Sequence, residues 1–177
     1  MIIREKDAEK EAVISAAKDI CAAIRTAPKA CGRDHLTTMI LTEEDKDRLA
    51  DAMEAYGKES GMDFFIRDAG NVRASTAVVM VAVKAQVRGL GEGCGYCGFK
   101  GCGELTKNGG VCAFDTIDLG IAIGSAVSMA ADRRLDNRVL FSAGKTAMVK
   151  GFFDEPVVDA LALPLAVSGK SVFFDRK

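Results

Sequence analysis

Thr76-Ala77-Val78-Val79-Met80-Val81-Ala82-Val83 decides how this chain folds. The run carries no charge, is rich in β-branched valine, and is far shorter than the roughly 18 apolar residues a membrane-spanning helix needs. It therefore predicts a strand. A strand with one wet face alternates polar and apolar residues; this one does not, so both of its faces must be covered. Helices have to supply that cover, and the sequence predicts them on both sides of the run. The fold class that follows is α+β, or layered α/β, rather than an all-helical bundle.

Upstream, Val13, Ala16, Ala17, Ile20, Ala23 and Ile24 recur at spacings of three and four, with Lys10, Glu11, Lys18 and Asp19 between them. This is an amphipathic helix over about Asp7 to Arg25, closed before Pro28 because the residue preceding a proline is pushed out of the helical region. His35 to Leu41 reads as a short strand. Thr42 before Glu43, Glu44 and Asp45 reads as a helix start with an acidic first turn, and the stripe of Leu49, Met53 and Tyr56 carries that helix to Gly57 or Gly61. Phe64-Phe65-Ile66 is expected to be a further strand.

Downstream of the decisive run, glycines and cysteines crowd residues 89–112 and exclude an ordinary helix there. Thr116 to Ala131 is a helix with few charges. Gly120, Gly124 and Ser128 lie four apart on it, either because another backbone approaches closely or because the helix is crowded inside the fold. Leu140 to Val149 is another helix. Ala160 to Val167 is a strand broken by Pro164, which points to an edge or an irregularity. Gly169-Lys170 and Phe173-Phe174 follow.

The chain has 177 residues, 49% of them hydrophobic and 28% charged, enough for a core and too apolar for a disordered segment. One domain over 1–177 is expected, with a small module embedded at 89–113. Twenty-four Lys and Arg oppose twenty-five Asp and Glu. That balance supplies no basic footprint, so no nucleic-acid partner is expected. Met1-Ile2-Ile3-Arg4-Glu5-Lys6-Asp7 has no apolar run of signal-peptide length; the expectation is a cytoplasmic protein without a membrane.

Six cysteines stand at 21, 31, 94, 97, 102 and 112. In a reducing compartment a disulfide scaffold is the weaker explanation of the last four. Cys94, Cys97, Cys102 and Cys112 are spaced C-x2-C-x4-C-x9-C. A two-residue gap lets two thiolates reach one centre across a tight turn, and the interleaved glycines let backbone amides point inward. Four soft thiolates select an iron–sulfur cluster or zinc over magnesium or calcium. The spacing departs from the bacterial ferredoxin run at the third and fourth cysteines, and from a zinc ribbon in its stretched second pair. Iron–sulfur is favoured by the glycine density, zinc is the alternative, and a Cys94–Cys97 dithiol is the third reading.

The remaining reactive residues read as structure. Cys21 belongs to the apolar stripe of the first helix, Cys31 to a loop, and the single histidine, His35, to a strand start. Asp115 beside Thr116 fits a helix cap. Asp118, Asp132 and Asp136 fit helix solvation, and Arg133, Arg134 and Arg138 fit surface pairing. Gly144-Lys145-Thr146 lacks the upstream glycine of a phosphate loop. No catalytic acid–base pair is assigned.

Cys94–Cys102 (CGYCGFKGC), Cys112–Val139 (CAFDTIDLGIAIGSAVSMAADRRLDNRV) and residues 163–176 (LPLAVSGKSVFFDR) resemble a family of uncharacterised prokaryotic proteins containing a ferredoxin domain. The resemblance implies an iron–sulfur cluster of the 4Fe-4S kind on Cys94, Cys97, Cys102 and Cys112. The layout also resembles the nitroreductase-like fold, with Ala27-Pro28-Lys29 at its early loop, Thr116–Ala131 as its central apolar helix and Gly169-Lys170 near its end. What this implies is a layered α+β fold with the cysteine loop as an insertion. It further implies a homodimer with FMN at the interface, and Arg25 and Lys170 as contacts to the flavin phosphate. Lys29 and Gly32 stand where that family's loop has serine and asparagine. Together the resemblances imply a small redox protein, an oxidoreductase where cluster and flavin are coupled, serving a redox partner protein. The contrasting reading is a zinc-stabilised, non-enzymatic interaction or structural protein.

Overall fold

The computed structural model describes residues 1–174; Asp175, Arg176 and Lys177, the last of the domain expected over 1–177, lie outside the described residues. Val78 to Val83 is indeed the centre of the molecule. It forms most of β2 (Ala77–Lys84), flanked by β1 (Leu36–Thr42) and β4 (Val157–Ala166) in a sheet of order β1-β2-β4-β3, with β3 reduced to Asp136–Asn137. All pairings are antiparallel: Leu36 faces Val83 and Thr42 faces Ala77, while Ala77 also faces Leu165 and Val83 faces Asp159.

Helices cover both faces, as the unalternating run requires. Ala77, Val79, Val81 and Val83 point into a core with α1 (Glu5–Thr26) and α5 (Ala113–Asp132). Val78 and Met80 point into a second core with α2 (Glu43–Ser60), α3 (Asp63–Ala74) and α6 (Phe141–Val149). Every one of these six β2 side chains is at most 1% exposed. Each buried valine or methionine among them contributes about 1.5–3 kcal/mol, so this one strand anchors both layers.

Most boundaries follow local chemistry. α1 stops at Thr26, two residues before Pro28, and buries Val13, Ala16, Ala17, Ile20 and Ile24. α2 ends on Gly61 in the left-handed conformation, φ 69°, where a side chain would be strained. Pro164 sits inside β4, yet its missing N–H costs little. Ala162 directs its N–H to Leu140 on the β3 side, so residue 164 faces the same way, where pairing has shrunk to two residues.

Two expectations are corrected. Phe64-Phe65-Ile66 is not a strand but the first turn of α3. Phe65, Ala69 and Val72 are its buried positions, a helical spacing that extends past the three aromatic and aliphatic residues that suggested a strand. Nor is α5 a crowded internal helix. Leu119, Ala122, Ala126 and Ala130 are buried against α1 and the sheet, but Ile117, Gly120, Ile121, Gly124 and Ser128 form an exposed face. A Cβ added at Gly120 or Gly124 would meet nothing within 4 Å among the described residues. By length and composition α5 would suffice to cross a membrane; here it lies with one face on the core.

Candidate functional site

The chain leaves β2 at Lys84 and does not enter regular structure of any length until α5, which begins at Ala113. Between them lie a short 3-10 turn at Gly91–Gly93 and the six-residue helix α4 (Cys102–Lys107). Gly89 and Gly91 have φ of 74° and 72°, and this pair of left-handed turns folds the segment back on itself. Cys94 closes the 3-10 turn, Cys97 lies in the following turn, Cys102 opens α4, and Cys112 occupies the N-cap position of α5.

All four cysteines line one cavity, whose wall is otherwise apolar side chains, glycine and a single guanidinium, Arg88. Cys112 is buried and the other three are half-buried; all are free thiols. Tyr96, an exposed side chain between two of the cysteines, stacks on Phe114 at the start of α5 with ring centroids 5.4 Å apart, and both rings form part of the wall. The backbone amide of Gly91, joined by those of Gly89, Leu90 and Cys102 itself, holds the Cys102 thiol below its ordinary range against the opposing effect of burial. Such a nest of N–H groups favours an anionic sulfur. Among the described residues no three His, Cys, Asp or Glu side chains are grouped closely enough to hold one metal ion between them.

Behind this cavity is a buried ionic network. Arg88 is 1% exposed, Asp115 0%, Asp118 1% and His35 6%. Arg88 Nη2 forms an ion pair with Asp115 Oδ1 at 2.7 Å and donates to Asp118 Oδ2, while its Nη1 donates to the carbonyl of Arg33. Asp118 in turn accepts the Ala30 N–H at 3.0 and 3.1 Å, and Asp115 Oδ1 lies 3.0 Å from His35 Nδ1. Arg33 closes the circuit by donating to the carbonyl of Arg88 at 2.6 Å. Burial pushes the Asp115 carboxyl up, opposed by His35 and Arg88. Two polar atoms of the network have no partner among the described residues: Arg88 Nε and Asp115 Oδ2.

The network corrects the reading of both acids. Asp115 is not a cap, since Cys112 holds that position, and Asp118 is not solvated but locked into a buried ion pair. A signal was available: two acids three apart on a charge-poor helix, in phase with Leu119 and Ala122, lie on the buried face. Arg88 carried no such signal, being one arginine in a glycine-rich loop. Arg133 does pair on the surface, with Asp19, whereas Arg138 reaches Asn71 and the Phe173 carbonyl. Cys21 is half-buried within the α1 core, where burial pushes its thiol up. Cys31 is exposed in the loop with φ 57°.

The two phosphate candidates are not brought together. Arg25 pairs with Asp34 and donates to the Leu36 carbonyl at 3.2 Å, at the end of the sheet where Leu36 faces Val83. Lys170 follows β4 beyond the opposite end, where Leu165 faces Ala77.

Comparison with known proteins fits this architecture. Residues 108–176 match a family described as "Uncharacterized protein containing a ferredoxin domain". An uncharacterized protein of Archaeoglobus fulgidus is 39% identical over 184 aligned residues, covering 99% of this chain and 98% of the relative. Among solved structures, an FMN-bound nitroreductase of Desulfitobacterium hafniense superposes with a TM-score of 0.57 at 15% identity, covering 96% of this chain and 81% of the other. The FMN-dependent nitroreductase NfnB of Mycobacterium smegmatis, solved with NADPH, gives 0.60 at 10% identity, covering 90% and 81%. At these identities the likeness concerns the fold, which is nitroreductase-like.

Proposed function

Since this chain belongs to the family of uncharacterised proteins containing a ferredoxin domain, we propose that it is a small redox protein holding an iron–sulfur cluster on Cys94, Cys97, Cys102 and Cys112. The observation that carries this reading is the convergence of all four thiols on one largely apolar cavity, with backbone amides turned toward Cys102. The donor set suits the group. Four irons bridged by sulfide need four separate thiolates set apart by the width of the cluster, whereas zinc draws four thiolates to about 2.3 Å from one point. The glycine-rich wall, poor in oxygen and nitrogen acceptors, favours the cluster over the zinc alternative.

A bound iron–sulfur cluster supplies one-electron transfer, and FMN, where present, couples one- and two-electron chemistry. The chain's own residues would do the rest. Tyr96 and Phe114 cover the cavity and limit water, and the amides at Gly89 to Gly91 offset negative charge on sulfur. FMN coupling and a homodimer belong to the same proposal. The exposed α5 face of Ile117, Gly120, Ile121 and Gly124 offers a second copy a close-packing surface. Because Arg25 and Lys170 stand at opposite ends of the sheet, one flavin phosphate could meet both only if each copy contributed one of them.

The test is an ultraviolet–visible spectrum of anaerobically purified and reconstituted protein, with iron, sulfide, zinc and flavin analysis. Broad absorption near about 400 nm with stoichiometric iron and sulfide is the expected outcome. A colourless protein with one zinc and no uptake of iron and sulfide refutes the electron-transfer reading.

A further inference from the structure

Arg88 spends its two terminal nitrogens inside the protein and leaves the third donor idle. Nη1 and Nη2 are committed to the Arg33 carbonyl, Asp115 and Asp118, yet Nε–H, equally buried, has no acceptor among the described residues. A buried unpaired donor costs about 1–3 kcal/mol, so such groups are rare unless something outside the polypeptide satisfies them. Arg88 is also the one arginine among the described residues that lines the four-cysteine cavity.

We propose that Arg88 is a positioning residue for the iron–sulfur cluster, donating its Nε–H to a cluster sulfur and placing a fixed positive charge beside it. This deepens the cluster reading and rests on it. A positive charge and a hydrogen bond to sulfur both stabilise the more negative, reduced state, and so hold the reduction potential up. The guanidinium is held in place by Asp115 and Asp118, both of which pair with its Nη2. The same side chain joins the cysteine segment to the Ala30–Arg33 loop, through the Arg33 carbonyl and through Asp118 to the Ala30 N–H. The segment that surrounds the cluster and the loop after α1 are thereby one mechanical unit.

The experiment is a reductive potentiometric titration of reconstituted wild type, Arg88→Lys, Arg88→Gln, and the double variant Arg88→Gln/Asp118→Asn. The double variant removes one charge of each sign, keeping the net charge of the network while deleting the donor. Expected midpoints move to more negative potential in both glutamine variants, with Arg88→Lys between them and wild type. A loaded glutamine variant whose midpoint equals wild type overturns the inference and leaves the cluster reading standing. A wild type that takes up no iron and sulfide overturns the cluster reading itself. If the variants do not fold, reduced wild type labelled with 15N-arginine decides the matter by pulsed electron paramagnetic resonance. A resolved 15N coupling to the cluster spin supports the donated hydrogen bond, and its absence overturns it.

Discussion

Replacing Asp118 by alanine should be among the most damaging single changes to the folded protein, although it touches no cysteine. Asp118 is 1% exposed, balances the guanidinium of Arg88, and accepts the Ala30 N–H at 3.0 and 3.1 Å through its two oxygens. Removing one partner of a buried ion pair costs about 3–5 kcal/mol, because the other charge is left uncompensated. Here Asp115, 2.7 Å from Arg88 Nη2, still shares the charge, which argues for the lower end of that range. The expected loss is about 3 kcal/mol, or roughly 6–12 °C in Tm for a chain of this size. Urea unfolding of the metal-free, reduced protein measures it directly, with the midpoint lowered and the slope unchanged. Removing the guanidinium as well, as Asp118→Ala with Arg88→Met, should not recover the loss, because it leaves the fully buried Asp115 carboxyl with only His35 beside it among the described residues. A single variant losing less than about 1 kcal/mol would refute the view that this network is dry and tightly paired.

Three further outcomes are expected. Gly144→Ala places a Cβ 1.9 Å from the Ala160 carbonyl oxygen, so α6 must lift from β4 at a cost of about 3 kcal/mol; a thermal melt within error of wild type contradicts that contact. Ile121→Glu, at a position 40% exposed on α5, should leave the stability of the protomer within about 0.5 kcal/mol while abolishing the proposed homodimer in sedimentation; an unaltered dimer places the interface elsewhere. Burial alone would raise the Asp34 carboxyl, but the pairing with Arg25 and the Leu36 N–H outweigh it and hold the group below its ordinary 3.8. A depressed carboxylate stabilises fully above its unfolded pKa and loses that contribution as pH falls through the folded value. Asp34→Asn should therefore flatten the stability profile below about pH 4, and an identical acid limb in both proteins would speak against the pair.

The sequence exposed the layers because its strongest patterns are one-dimensional. An apolar run without alternation at 76–83, a stripe of period 3.6 at 13–24 and a charge-poor segment at 116–131 each state which faces are buried, and the sheet and its two helical layers follow. The cysteine spacing pointed to one metal centre on four thiolates; the structure puts all four on the wall of one cavity. What stayed hidden depends on elements distant in the chain. Arg88 meets Asp118 thirty residues away and Arg33 fifty-five residues away, and no local pattern marks an arginine for burial. Phe64-Phe65-Ile66 misled for the opposite reason: three residues are too short to separate a strand from a helix, and the deciding partners, Ala69 and Val72, lie beyond them.

The antiparallel contact between β2 and β4 also governs when the protein can be completed during synthesis. β1 and α2 are available as soon as β2 is made, but the other edge of β2 pairs with residues 157–165, which appear about seventy residues later. Until then the most apolar strand of the chain presents an unpaired edge, the kind of surface on which nascent chains associate with one another. The whole cysteine segment lies within that interval, and every residue that lines its cavity, from Val87 to Phe114, is made before β4. Slow delivery of those late residues should therefore raise the fraction of aggregated chains, while the cysteine segment can fold before the sheet closes.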